Sequence, residues 1–67
     1  MSAVILSIGD ELVLGQTVDT NSAYLSAELA SLGISTLYHQ TVGDDVQGIA
    51  NAIEQATKVA ETVIVSG

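Results

Sequence analysis

Two glycine–acid–acid triplets hold most of the chemistry this sequence can offer. Gly9-Asp10-Glu11 closes one short apolar run, Gly43-Asp44-Asp45 closes a second, and Ser66-Gly67 follows a third. Carboxylates gathered in one place repel one another, and a bound divalent cation or a raised pKa relieves that repulsion. Oxygen ligands suit a hard ion such as Mg²⁺, which commonly takes one or two protein carboxylates and fills its shell with water and substrate phosphates. Glycine beside each acid lets the backbone approach such a ligand closely. The pattern predicts a metal–phosphate site at which Asp10, Asp44 and Asp45 can serve as metal ligands. Gly9, Glu11, Gly43, Ser66 and Gly67 would line the ligand. Helix N-termini at the same edge would help hold phosphate oxygens. No Lys or Arg stands near these residues, so the phosphate charge has to be met by a metal or by residues beyond Gly67. The purely structural alternative is that Asp44 and Asp45 cap a helix and favour its dipole. Asp44 with Gln47 has the spacing of a capping box.

The triplets act together only if the elements before them end at one edge. Ala3 to Ile8 is a continuous apolar run closed by Gly9, as in a strand buried on both faces of a parallel sheet. A long connection follows from Asp10 to Asn21, and long ordered connections tend to be functional. From about Asn21 the period becomes helical. Leu25, Leu29 and Leu32 form one stripe, Asp19, Thr20 or Asn21 can cap the start, and Gly33 ends the helix. Ile34 to Val42 reads as a second strand. Val46, Ile49, Ala50, Ile53, Ala56 and Ala60 mark one side of a second helix, and Thr62 to Val65 is a third strand. The order β-α-β-α-β with long crossovers implies parallel strands and right-handed connections. This is the N-terminal portion of a doubly wound, three-layer α/β domain, in which ligands bind outside the carboxyl ends of the strands.

Composition excludes several other classes. Eight Asp and Glu residues stand against a single lysine, Lys58, for a net charge of −7. A nucleic-acid surface needs clustered Lys and Arg, so no nucleic-acid partner is expected. There is no Cys, hence no disulfide or thiolate metal site. The apolar run Ala3–Leu6 is far short of the roughly 20 residues that cross a bilayer, and no positive charge precedes it to make a signal peptide. A hydrophobic fraction of 48% argues against disorder. These features lead to the expectation of a soluble, cytoplasmic protein without a membrane partner, its oligomeric state left open. At 67 residues, with no Trp, Phe or Pro, the chain is small for an independent core. It is expected to be the first part, residues 1–67, of a single larger domain.

Other residues read as structural. Gly9 to Gly15 lacks both the P-loop Lys-Ser/Thr and the dinucleotide glycine pattern. His39 lies within the second strand, away from its C-terminal end. Tyr24 and Tyr38 are packing residues with a wet hydroxyl. Ser7 and Ser66 have no general base nearby in sequence, so a nucleophilic serine is not expected.

Ile8-Gly9-Asp10-Glu11-Leu12, then Gly15-Gln16, then Asp19-Thr20-Asn21-Ser22 resembles the opening of CinA-type competence/damage-inducible proteins. Their N-terminal domain has a MoaB/Mog-like, molybdopterin-binding fold. Leu32-Gly33-Ile34 and Thr41-Val42-Gly43-Asp44-Asp45 fit the same pattern, and the likeness covers essentially the whole chain. In that family the third strand runs into a Gly-Gly-x-Gly-Pro loop, which would start at Ser66-Gly67. The resemblance implies a site at this sheet edge, with Asp44 matching a functionally important aspartate. Asp10, Glu11, Thr20, Asn21 and Asp45 fall on recurring positions. For molybdenum-cofactor members it implies binding of molybdopterin or its adenylylation with Mg-ATP. For CinA-type members it implies metal-dependent hydrolysis of ADP-ribose, often beside a separate nicotinamide-mononucleotide deamidase domain. The stretch Gly9–Asn21 is more similar to the CinA type.

The leading expectation is therefore a metal-dependent pyrophosphatase half-site acting on ADP-ribose or a related nucleotide with Mg²⁺, Mn²⁺ or Co²⁺. The alternatives are a molybdopterin-binding or adenylylating domain, and a segment that is inactive by itself. A phospho-acceptor receiver domain fits poorly, because it needs an aspartate at the end of the third strand, where this chain has Ser66.

Overall fold

β1 (Ser2–Ile8) occupies the centre of the sheet because nothing from Ala3 to Leu6 asks for water. The computed structural model describes residues 1–67. β1 pairs in parallel with β2 (Ser35–Val42) on one side and with β3 (Thr62–Ser66) on the other, giving the order β2-β1-β3. Val4, Ile5 and Leu6 are fully buried, and each such side chain contributes roughly 1.5–3 kcal/mol relative to exposure.

Alternation along β1 sends its side chains to two cores. Val4 and Leu6 pack on Ala52 and Ala56 of α3 (Val46–Thr57), while Ala3 and Ile5 pack on Leu29 of α2 (Thr20–Ser31). The two long helices thus cover opposite faces, as a doubly wound parallel fold requires. A one-turn helix, α1 (Asp10–Val13), follows β1 directly, where the sequence suggests only an open connection. Gln16 and Thr17 donate their N–H groups to the Glu11 carbonyl, which folds the rest of that connection back on the turn.

Asp19 caps α2, its Oδ1 accepting from the Ser22 N–H at 3.0 Å. The helix ends at Leu32 in a Schellman arrangement: Gly33 N–H donates to the Ala30 carbonyl and Ile34 N–H to the Leu29 carbonyl. Ile34 therefore belongs to this cap, packed near Leu29, and β2 starts one residue later than its hydrophobicity suggests. Leu32 is 74% exposed, because it sits beyond the last turn and off the buried stripe. On α3 the side facing the sheet runs through Ile49, Ala52, Ile53 and Ala56; Val46 and Ala50 point outward. The expectation for those two fails because Val46 lies in the first turn, ahead of the residues that reach the sheet, and Ala50 is rotated off the side marked by Ile49, Ala52, Ile53 and Ala56.

Gly33 has φ +80°, a left-handed conformation that costs an L-residue roughly 1–2 kcal/mol. Gly33→Ala should lower the unfolding free energy by about 1 kcal/mol, measured by urea titration of the full-length protein. An unchanged midpoint would show that the cap relaxes without cost.

Candidate functional site at the carboxyl ends of the strands

Register brings the three strand ends together. Ile8 lies level with Val42, and Ser7 lies level with both Thr41 and Ser66. Between Ala3 and Val4 the pairing with β2 skips Leu37, and this irregularity sets the level of the far end. The Gly9 N–H continues the ladder into the Val42 carbonyl at 2.9 Å. The turns Gly9-Asp10 and Gly43-Asp44 consequently stand side by side.

They are joined by one hydrogen bond. Asp44 N–H donates to Asp10 Oδ1 at 3.0 Å across a separation of 34 residues. A Cβ at position 43 would lie 2.8 Å from that same oxygen, so glycine is what allows the Asp10 carboxylate to approach. The Asp44 side chain is exposed and accepts no hydrogen bond from within the chain.

Asp45 behaves differently. Its Oδ2 accepts from the Gly48 N–H at 2.8 Å, which makes it the N-cap of α3. The capping-box assignment to Asp44 is thereby corrected, since the amide of Gln47 turns along the helix to Asn51 instead of back to a cap. No three His, Cys, Asp or Glu side chains converge to hold a metal ion, so the expected set Asp10, Asp44 and Asp45 does not form a cage. Asp45 is turned to its own helix, and neighbouring residues such as Asp10 and Glu11 on one helical turn cannot face the same way.

Glu11 looks instead into a crevice of about 240 Å³ on the other side of β1. This crevice opens between the ends of β1 and β3 and is closed by the segment entering α2. Thr20, Asn21, Ser66 and Gly67 line it with Glu11, while Gly9, Asp10, Gly43, Asp44 and Asp45 do not. It coincides with the topological switch point: the chain leaves β1 toward β2 by way of α2, then crosses back past β1 to β3 by way of α3. Crevices at such points are where open α/β sheets bind ligands.

Ser7 and Asp19 also line this crevice, and sequence reasoning gave neither a binding role. Ser7 is 2% exposed, and its Oγ has no hydrogen-bond partner; Asp19 Oδ2 is likewise buried and unpartnered. The nearby Ser7 hydroxyl, followed by the Ser22 N–H, holds the Asp19 carboxyl below its ordinary pKa, with burial opposing them. The Ser7 and Asp19 oxygens nevertheless fall short of a formed hydrogen bond. The available signal was the position of Ser7, a hydroxyl placed inside an otherwise apolar strand at its carboxyl end.

A lowered folded-state pKa means that Asp19 stabilises the native state at neutral pH. That contribution is fully present above the unfolded value of about 3.9 and is lost as pH falls through the lower folded value. Asp19→Asn should therefore flatten the acid limb of the stability profile below about pH 4. Urea midpoints of both proteins, measured from pH 7 downward, check this. Parallel profiles would show that Asp19 is not linked to folding.

These features define a doubly wound parallel α/β unit with a crevice at the switch point. The family described as "Probable molybdopterin binding domain" matches residues 4–67. Over all 67 residues the chain is 51% identical to a CinA-like protein of Geobacter metallireducens and 48% identical to one of Geotalea daltonii. It spans 16% of the length of each of these curated relatives. The crystal structure of the protein CinA, of unknown function, from Thermoplasma acidophilum has a TM-score of 0.96 to it at 32% identity, covering 98% of this chain and 39% of that one. The chain belongs to the molybdopterin-binding-type domain family, in the form carried by CinA-like proteins. No helix is long and apolar enough to cross a membrane.

Proposed function

We propose that this segment supplies the cation- and nucleotide-binding part of a hydrolase that cleaves ADP-ribose or a related pyrophosphate. One observation carries the reading: a ligand crevice at the switch point stands beside a turn pair that presents the Asp44 carboxylate and the second oxygen of Asp10 at the same sheet edge. The donor set fits an ion that takes one or two carboxylates and fills its shell from water and substrate. It does not fit an all-protein cage. Asp44 and Asp10 are the residues that would hold Mg²⁺, Mn²⁺ or Co²⁺. Such an ion supplies polarisation of the pyrophosphate and a lowered pKa for the attacking water.

The chain's own residues have separate tasks. Glu11, Thr20, Asn21 and Ser66 border the crevice, where they would position the organic part of the ligand. The Asp44 N–H keeps Asp10 in place, so the cation-binding oxygens are oriented before substrate arrives. A second reading, a molybdopterin-binding or adenylylating domain, is supported by the description of the family. Both readings require a small molecule that contains phosphate.

The test is to titrate Mg²⁺, Mn²⁺ and Co²⁺ into the full-length protein with ADP-ribose and follow the release of AMP, with calorimetry of molybdopterin beside it. Cation-dependent release of AMP supports the hydrolase. Tight pterin binding without AMP release would favour the second reading.

A further inference from the structure

We infer that Ser7 and Asp19 form an acceptor site in the lining of the β1–β3 crevice, which takes the uncharged, hydrogen-bond-donating end of the ligand rather than its phosphates. The chemistry recognised is a pair of adjacent O–H or N–H donors: the vicinal hydroxyls of a ribose, or the amino and ring N–H groups of an aminopyrimidinone. The inference deepens the nucleotide-hydrolase reading of this same site and rests on it for the location of the phosphates.

Three observations carry it. The first is an unmet demand. Ser7 Oγ is buried and unpartnered in a wall of the crevice, and Asp19 Oδ2 is buried and unpartnered beside it. Buried polar atoms in native proteins nearly always have partners, and an unsatisfied one costs free energy that a ligand donor can recover. Asp19 Oδ1 already accepts from the Ser22 N–H, so Oδ2 is the oxygen left for a ligand. An ionised carboxylate only accepts, and a serine hydroxyl has lone pairs of its own for a second donor.

The second observation is charge. Asp19 and Glu11 both line the crevice, and no cation does. The sole lysine, Lys58, lies 3.7 Å from Glu54 on α3. Asp19 also occupies the N-terminus of α2 as its cap, the place where a phosphate would otherwise bind. A phosphate there would face a fixed negative charge at close range, whereas a neutral donor meets attraction. The phosphates are left to the neighbouring turn of Asp10 and Asp44.

The third observation is size. A crevice of about 240 Å³ is below the roughly 300–1,000 Å³ of sites that enclose a whole drug-sized ligand. That volume matches one sugar or one bicyclic ring, the part of a dinucleotide the acceptor pair would hold.

The test uses calorimetry on the full-length protein with three probes: ADP-ribose, a simple pterin, and inorganic pyrophosphate with Mg²⁺. Asp19→Asn keeps an oxygen for the α2 cap but turns the free acceptor into a donor. Ser7→Ala leaves the cap untouched and serves as the independent second variant. Asp19→Asn is expected to weaken binding of the organic ligand by about tenfold or more, as loss of a hydrogen bond to a charged group does, and Ser7→Ala, which removes a neutral hydroxyl, by roughly fivefold. Affinity for pyrophosphate should stay unchanged. If ADP-ribose is the ligand so affected, the donors are ribose hydroxyls. If only the pterin is affected, the acceptor site stands while the hydrolase reading falls. An equal loss of pyrophosphate affinity, variants that bind like the wild type, or a wild type that takes none of the three probes would overturn the inference.

Discussion

Asp44→Ala is expected to reduce hydrolysis of ADP-ribose by the full-length protein by on the order of 100-fold or more, exceeding the roughly 10–100-fold typical of residues that only support a metal's ligands. The structure makes this a clean experiment. The Asp44 carboxylate accepts no hydrogen bond from the chain, and the contact that ties the two turns together uses its backbone N–H. That N–H survives the substitution, so Asp10 keeps its place and the loss reads chemistry rather than folding. Raising the cation concentration should recover part of the activity, since weakened cation affinity is the cause. Asp10→Asn is a companion variant: its amide oxygen can still accept from the Asp44 N–H, but the charge is gone. Steady-state rates across a Mg²⁺ titration check both variants. Turnover unchanged in Asp44→Ala would remove Asp44 from the mechanism.

The largest effect on stability is expected at the centre of the sheet. Leu6 is fully buried, packs with Val4, Ala52 and Ala56, and pairs through its backbone with both neighbouring strands. Leu6→Ala should cost about 3 kcal/mol, within the roughly 2–5 kcal/mol range for such truncations. That is a large share of a typical stability of about 5–15 kcal/mol. The size of the loss follows from the small residues opposite. Ala52 and Ala56 hold α3 close to the strand and have no side chain able to swing into the cavity. Leu32→Ala is the contrasting variant, expected to change stability by less than about 0.5 kcal/mol because Leu32 lies exposed beyond the end of α2. Urea midpoints of the two variants separate these outcomes. Similar losses at both positions would mean that Leu32 is buried in solution.

The contrast between Leu6 and Leu32 also marks how far the sequence could be read. The run Ala3–Leu6 identified the central strand, because only a strand covered on both faces tolerates continuous apolar residues. Gly33 identified the end of α2, since its left-handed backbone is what a Schellman cap needs. Leu32 misled because it continues the helical period by one residue after the helix has stopped. Periodicity detects a stripe and not the turn at which it ends.

The site was legible as an edge but not as a division of labour. Parallel strands sufficed to bring Gly9-Asp10 and Gly43-Asp44 to one end, and the 3.0 Å contact between them bears this out. Which acid faces which side depends on where β3 joins the sheet and on the helical turn that begins at Asp10. Those two facts send Glu11 to the crevice and Asp10 to the β2 side. Asp45 left the group because a helix start needs an acceptor for its free N–H groups, and its side chain was the nearest available. Ser7 and Asp19 were hidden for the opposite reason. Each looks like an ordinary strand or cap residue until the fold sets them together in one crevice.

A crystal structure of the full-length protein with Mg²⁺ and a non-hydrolysable analogue of ADP-ribose shows whether the ligand spans this sheet edge. The predicted density places the analogue across the carboxyl ends of β1 and β3, with its phosphates sharing a cation with Asp44 and Asp10. Density on another face of the sheet, with no contact to either turn, would contradict the account.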